Sequence, residues 1–172
     1  MMPYTIGEIT PLTVYTAASG RHPQAAREFH EALHARIPDI RILDWTCKIT
    51  PPPGLPPEQR RQWFDTERQD GQLYVFCRDA CASADVVVYL GQPGQDAGVE
   101  VGIAVGAGVP VIGLRAPLEA PGFMLHGAVN VWCRDAEEVI YLLEELSGRC
   151  LGAHCGNCKV SSFCEHVCKG GK

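Results

Sequence analysis

The segment Gly91–Gly102, which follows the most apolar run of the chain, contains the residues best suited to chemistry. It reads GQPGQDAGVEVG, so the carboxylates Asp96 and Glu100 stand four residues apart and can share one helix face. The glycines let the backbone approach a ligand, and a helix that begins here directs free N–H groups and its positive dipole end into the crevice. A carboxylate in or next to that first turn ionises more easily. The same spacing is also typical of an N-cap (Asp96) followed by a solvated first-turn acid.

A second group is the cysteine run Cys150-x4-Cys155-x2-Cys158-x5-Cys164-x3-Cys168 near the end of the chain. A tail this short can bury almost no core, so something else must stabilise it. Thiolates bind soft or borderline metals, and the cysteine spacing therefore predicts a metal centre rather than disulfides or a disordered tail. The run is similar to short iron–sulfur staples, which favours a [4Fe–4S] cluster, although zinc suits four thiolates equally. The first-choice ligands are Cys155, Cys158, Cys164 and Cys168, with Cys150 as a spare.

The elements that must position Gly91–Gly102 alternate between strands and helices. Short apolar runs predict five strands, at Leu12–Thr16, Ile40–Leu43, Asp85–Leu90, Val109–Leu114 and Val129–Trp132. Helical spacing predicts helices at His22–Arg36, Glu58–Gln69, Arg78–Ser83, Val99–Ala107 and Ala136–Leu146. This order predicts an α/β fold, a flavodoxin-like or Rossmann-like parallel five-stranded sheet with helices on both faces. We expect residues 1–147 to form that domain and residues 148–172 to form the short Cys-rich tail.

Ligand-binding sites in such sheets lie beyond the carboxyl ends of the strands. Three loops are predicted at that edge, namely Ala17–Arg21, Asp44–Thr46 and Gly91–Gly98. The net charge of -5 disfavours nucleic acid and anionic membranes as partners, so a small molecule is expected. The absence of a long apolar run and of a secretion signal predicts a cytoplasmic protein with reduced thiols.

The stretch from Ala84 to Ala104, together with Gly108-Val-Pro-Val-Ile, resembles the nucleoside 2-deoxyribosyltransferase family. Proteins of that family carry G-x-E-[LIV]-G-x-A after an apolar strand and a Gly-containing loop, then G-x-P-V. The matching positions are Gly98, Glu100, Gly102, Ala104, Gly108, Pro110 and Val111, and the resemblance extends over about residues 12–147.

The resemblance implies an enzyme that cleaves or transfers the N-glycosidic bond of a nucleoside or nucleotide. Glu100 would be the nucleophile that forms a covalent glycosyl-enzyme, with Asp79 or Asp96 as the proton donor and no cofactor for the glycosyl step. The substrate contacts would come from Tyr15, Ala17, Ser19, Asp44, Trp45, Gly94 and Gly98. The resemblance also implies a homo-oligomer, with the apolar stretch Phe123–Leu125 reaching a neighbouring subunit.

Two other functions fit the same residues. One is a non-catalytic nucleotide-binding or redox-sensing module that carries a metal centre. The other is a phosphoribohydrolase of the related PGG-loop type, because Pro93-Gly94 precedes the acid. The sequence leaves transfer and hydrolysis both open. The scattered Cys47, Cys77, Cys81 and Cys133 are expected to pack in the core, and His22, His30, His34 and His126 are expected at the surface.

Overall fold

Five parallel strands and six helices make up the part of the chain that the computed structural model describes, residues 11–20, 23–91, 94–115 and 121–149. The strands are β1 (Thr13–Ala17), β2 (Arg41–Ile42), β3 (Val86–Tyr89), β4 (Val111–Leu114) and β5 (Val131–Cys133). The helices are α1 (Pro23–Arg36), α2 (Pro57–Asp70), α3 (Gln72–Ser83), α4 (Gln95–Gly106), α5 (Phe123–Ala128) and α6 (Ala136–Arg149).

The strands pair in the order β2-β1-β3-β4-β5, and every pairing is parallel. This is the flavodoxin-like arrangement, so the predicted fold class is confirmed. The central strand β3 is buried along its whole length, as the run of three valines predicts for a strand covered on both faces. β2 is shorter than predicted and pairs through Arg41 and Ile42 alone.

Helices cover both faces of the sheet, as predicted. Tyr15 and Thr16 are consecutive in β1 and therefore point to opposite faces. Tyr15 contacts Glu100 of α4, whereas Thr16 contacts His30 of α1, so α1 and α4 lie on opposite faces. α6 packs on the α1 side, and α3 packs against α4 on the other.

Helix α3 begins at Gln72, six residues before the predicted start at Arg78. Gly71 has a positive φ of 63°, which lets the chain pass from α2 to α3 without a longer loop. The core-facing positions of α3 recur at helical spacing from its first turn. They are Leu73, Phe76, Cys77, Ala80 and Cys81.

Helix α4 begins at Gln95 rather than at Val99, because Gly94 in extended conformation is its N-cap. Its buried face, which includes Ala97, Val101 and Ala104, starts in the first turn and faces the sheet. The apolar stretch Phe123–Leu125 lies in α5, a helix too short for periodicity to predict. No helix among the described residues is long and apolar enough to cross a membrane.

Candidate active site

Glu100 is the sixth residue of α4, so it lies in the second helical turn, next to the first. It shares the buried helix face and is only 9% exposed, so the alternative of a solvated acid is wrong. The Tyr15 hydroxyl donates a hydrogen bond of 2.5 Å to its Oε1. The other oxygen, Oε2, is buried and has no conventional hydrogen-bond partner within the described part of the chain.

The environment of Glu100 makes its carboxyl a weaker acid than usual. Burial raises the pKa of Glu100 to about 7, and the hydrogen bond from Tyr15 opposes that rise. The charge of Asp96 raises the pKa of Glu100 further, while the Cys77 thiol and the Ala18 N–H lower it. Burial and the neighbouring charge of Glu100 also raise the pKa of Tyr15 well above its usual value, so the phenol keeps its proton and remains a donor. The carboxyl therefore exchanges its proton close to neutral pH.

The loops after β1 and β3 meet next to this carboxylate. Gly94 packs against Ser19 so closely that a Cβ on Gly94 would lie 3.3 Å from the Ser19 Cβ and Oγ. In a sheet of this strand order, β1 and β3 flank the point at which the chain changes direction, and ligands bind in that crevice. Glu100 and Tyr15 lie on the two elements that border it, α4 and β1.

Asp96 is the second residue of α4 and does not cap the helix. The N-cap is Gly94, which makes no side-chain hydrogen bond, so the N-cap interpretation of Asp96 is wrong. Asp96 is exposed, and its charge is close enough to Glu100 to raise the pKa of Glu100. Of the two predicted acids, Asp96 is the one that the structure brings towards Glu100.

Asp79 lies on the exposed side of α3, where its carboxylate pairs with Arg78 at 2.7 Å. Cys77 and Cys81 flank it in sequence and face the core. Residues two positions apart on a helix point in different directions, so Asp79 points away from the core-facing side of α3 on which Cys77 and Cys81 lie.

The other predicted substrate contacts are divided between crevice and core. Ala17 and Ser19 are buried at the end of β1, beside the crevice. Trp45 is 3% exposed and donates a hydrogen bond of 2.8 Å from Nε1 to the carbonyl oxygen of Thr16, so it braces β1. Asp44 accepts a hydrogen bond from the Thr46 N–H at 2.7 Å. Gly98 lies within helix α4, and a side chain added there would meet open space.

His30, expected at the surface, is 6% exposed. Its Nε2 lies 2.8 Å from Thr16 Oγ1, and its Nδ1 lies 3.6 Å from Asp44 Oδ1. Burial lowers the pKa of His30, against the opposing effect of Asp44. The sequence does indicate this burial, because His30 falls at helical spacing between Ala26 and Leu33, which both lie on the buried face of α1. His30 therefore fixes the end of β1 from the face opposite to Glu100.

Cys77 is the site residue that the sequence reasoning missed. It is half-buried on α3, where it packs against the core and influences the pKa of both Tyr15 and Glu100. Core packing was the expectation for all four scattered cysteines, and it holds for the buried Cys81 and Cys133. Cys47, in contrast, is exposed. The sequence contains one indication of this position, because Cys77 and Cys81 are one helical turn apart and therefore share one face of the helix.

The predicted metal ligands, Cys150, Cys155, Cys158, Cys164 and Cys168, all lie outside the described residues, as do Arg21, His22 and Pro93. Within the described ranges, no group of three or more His, Cys, Asp or Glu side chains is arranged to hold a metal ion. The metal centre of the tail therefore stays a prediction.

Comparison with known proteins identifies the fold. No protein-family model and no curated protein matches this sequence. The structure of a 2-deoxyribosyltransferase from Bacillus psychrosaccharolyticus matches with a TM-score of 0.51 and 14% identity over 74% of this chain and 90% of that one. A conserved protein from Enterococcus faecalis V583 matches with a TM-score of 0.54 and 13% identity over 79% and 99% of the two chains. The Clostridium botulinum CMP N-glycosidase BcmB has a TM-score of 0.47 and 15% identity over 77% and 98%.

Proposed function

We propose that this protein cleaves or transfers the N-glycosidic bond of a nucleoside or nucleotide, with Glu100 as its nucleophile. One observation carries the proposal: a buried carboxylate in the motif G-x-E-x-G-x-A is held by the Tyr15 hydroxyl at the crevice between β1 and β3. A buried carboxylate with one unpaired oxygen costs stability, and such groups concentrate at functional sites. The shared fold with a 2-deoxyribosyltransferase supports the same reaction class.

The two oxygens of the Glu100 carboxylate have different hydrogen-bond surroundings, and this difference suits a nucleophile. Tyr15 fixes Oε1, while Oε2 has no conventional partner within the described chain and keeps its lone pairs for attack. Attack by Oε2 on the anomeric carbon forms an ester and breaks the carbon–nitrogen bond, whose electron pair leaves with the base. A proton from an acid neutralises the base as it leaves. Water or a second base then displaces Glu100 from the sugar and restores the carboxylate.

Asp96 is the proton donor in this proposal. It lies one helical turn before Glu100 and interacts with it electrostatically, whereas Asp79 is paired with Arg78 on the outer side of α3. Substrate contacts come from Tyr15, Ala17, Ser19 and Gly94, which border the crevice. Asp44, Trp45 and Gly98 are proposed to shape the same end of the sheet, and Trp45 does so from within the core.

Two further properties belong to the proposal. The exposed tip of α5, where Phe123 is 100% and Met124 is 89% exposed, is proposed to contact a second copy of the chain in a homo-oligomer, because large apolar side chains are seldom left so open. The cysteine tail is proposed to hold a [4Fe–4S] cluster or zinc. Visible absorbance of anaerobically purified protein supports a cluster, and colourless protein with stoichiometric zinc rejects it.

Base release measured by chromatography tests the function. Deoxyribonucleosides, ribonucleosides and their 5′-monophosphates are incubated with the full chain and with Glu100→Gln, which removes the charge and keeps the shape. Glu58→Gln, a change of an exposed acid on α2, is the matched control. Base release by the protein and by Glu58→Gln, but not by Glu100→Gln, supports the proposal. Equal release by all three contradicts it.

A further inference from the structure

A tryptophan lies at the carboxyl edge of the sheet, on the same face as Tyr15. Ala17 follows Tyr15 by two residues in β1 and therefore shares its face, and Ala17 is in register with Tyr89. Tyr89 is in register with Gly113 of β4, and Gly113 is in register with Trp132 of β5. Residues in register in a parallel sheet point to the same side. Trp132 is therefore on the face where Tyr15 holds the proposed nucleophile, one row nearer the carboxyl edge.

Two side chains and a glycine fix the ring of Trp132. The Tyr89 ring meets it edge-on with the centroids 6.0 Å apart, and the His126 ring of α5 stacks nearly parallel to it at 5.9 Å. The Trp132 Nε1–H donates a hydrogen bond of 3.4 Å to the His126 carbonyl oxygen. Gly113 leaves room for the ring, because a Cβ at that position would lie 2.7 Å from it. The half-buried indole is therefore a fixed platform.

Arg115 lies against this platform, one residue past the end of β4. Its backbone N–H donates a hydrogen bond of 3.1 Å to the Cys133 carbonyl oxygen, which fixes the chain at this point. The guanidinium carbon is 5.7 Å from the centroid of the Trp132 ring, within the range of a cation–π interaction. Arg115 is exposed, and no carboxylate of the described residues pairs with it. Its N–H donors are therefore free to bind an anion.

The two acids that follow β5 are engaged elsewhere. Glu138 pairs with Arg134 at 3.3 Å, and the Asp135 carboxylate accepts a hydrogen bond of 2.9 Å from the backbone N–H of Glu138. Both acids act on the thiol of Cys133, whose side chain points to the face opposite to that of Trp132. The positive charge of Arg115 therefore remains available on the face that carries the proposed nucleophile.

We propose that Arg115, supported by Trp132, binds the phosphate of a nucleoside 5′-monophosphate, so that nucleotides are the substrate class. The fork of a guanidinium matches two phosphate oxygens in a bidentate contact. β4 is two strand positions from β1, a separation of about 10 Å that an arginine side chain and one nucleotide together can bridge. The identity of the ligand rests on the proposed function, whereas the phosphate site itself can be tested without turnover.

The first experiment titrates inorganic phosphate into 15N-labelled full-length protein at constant ionic strength and follows the indole N–H resonance of Trp132. Trp132→Phe identifies the resonance, and chloride is the comparison anion. The variants are Arg115→Gln and Arg115→Lys. Arg134→Gln is the matched control, because Arg134 is an exposed arginine that already has a carboxylate partner.

We expect a saturable shift with phosphate but not with chloride, in the unmodified protein and in Arg134→Gln alike. Arg115→Gln should weaken phosphate binding by about 10- to 100-fold, the cost of losing hydrogen bonds between charged groups. Arg115→Lys should retain part of the affinity, because it keeps the charge and loses the fork. An equal response to chloride, no response to phosphate, or full phosphate binding by Arg115→Gln overturns the inference.

The second experiment compares kcat/KM for base release from a 5′-monophosphate and from the nucleoside with the same base and sugar. Arg115→Gln should lower kcat/KM for the monophosphate by a similar factor and leave that for the nucleoside unchanged. An equal loss on both substrates overturns the inference, because Arg115 would then act on something other than phosphate. Phosphate binding that depends on Arg115, without base release from any compound, contradicts the proposed function and leaves the phosphate site standing.

Discussion

The Tyr15 hydroxyl and Oε1 of Glu100 are 2.5 Å apart, although 85 residues separate them in the chain. The contact joins the end of β1 to the second turn of α4 across the crevice that the strand order creates. It keeps a buried carboxylate in one orientation and leaves its second oxygen without a conventional partner in the described structure. This pair is the basis of the proposed nucleophile, and each part of it can be tested.

Replacing Tyr15 by phenylalanine should lower kcat/KM at neutral pH by about 10- to 100-fold, the usual cost of losing a hydrogen bond to a charged group. The hydroxyl lowers the pKa of Glu100, so its loss should also move the acidic limb of the pH profile to higher pH. Tyr141→Phe, at an exposed position on α6, is the control and should behave as the unmodified protein. Matching profiles for Tyr15→Phe and the control would show that the contact has no role in the reaction.

Activity should depend on the ionisation of Glu100 near neutrality. The nucleophile must be a carboxylate, and burial raises its pKa to about 7, so the acidic limb of the pH profile of kcat/KM should rise as the pH approaches that value. The measurement is kcat/KM between pH 5 and pH 9. A rate that is already constant from pH 5 upwards would contradict a perturbed nucleophile.

The free energy of unfolding should also depend on the ionisation of Glu100, but it should fall with rising pH, whereas activity rises. The folded state binds the Glu100 proton more tightly than the unfolded state, so its stabilising contribution is complete below about pH 4.5 and is lost as the pH rises through about 7. The loss amounts to about 3 kcal/mol, from a pKa raised from 4.5 to about 7. Glu100→Gln should therefore gain free energy of unfolding relative to the unmodified protein at pH 8 and much less at pH 5, as measured by urea denaturation. An equal difference at both pH values would refute the shifted pKa.

Gly113 in β4 should not tolerate a side chain. A Cβ there would lie 2.7 Å from the Trp132 ring and 2.8 Å from Val129, so Gly113→Ala should destabilise the protein by about 1–3 kcal/mol. Gly102→Ala is the matched control, because Gly102 lies in α4 with open space around its Cα. That change should be neutral or stabilising by up to about 1 kcal/mol. Thermal unfolding of the two variants checks both signs, and a Gly113→Ala protein as stable as Gly102→Ala would contradict the packing.

Much of this fold could be predicted because its strands are short apolar runs separated by clear breaks. DVVVYL is short, β-branched and apolar on both faces, which favours a covered strand, and the alternation of strands and helices then favours a parallel sheet. The starts of α3 and α4 could not be read in the same way. Gly71 and Gly94 resemble loop residues in sequence, yet one joins two helices and the other caps one. Local composition does not show this, because packing against the sheet decides it.

The candidate site was predictable in part for the same reason. Glu100 stands out through its motif, and its distance from the strand places it at the crevice. The contact of His30 with Thr16 and the influence of Cys77 on the pKa of Glu100 join residues that come together only when the sheet forms. Asp79 and Cys77 are two residues apart, and the rotation of α3 about its axis determines which of them faces the core.

The most direct test of the central claim is mass spectrometry of the peptide that contains Glu100, after the protein is mixed with a nucleoside whose base it releases and is quenched in acid. We expect a fraction of that peptide to carry the mass of one added glycosyl group, located on Glu100 and absent from Glu100→Gln. Base release by Glu100→Gln at the unmodified rate, with no glycosylated peptide in either protein, would contradict a Glu100 nucleophile.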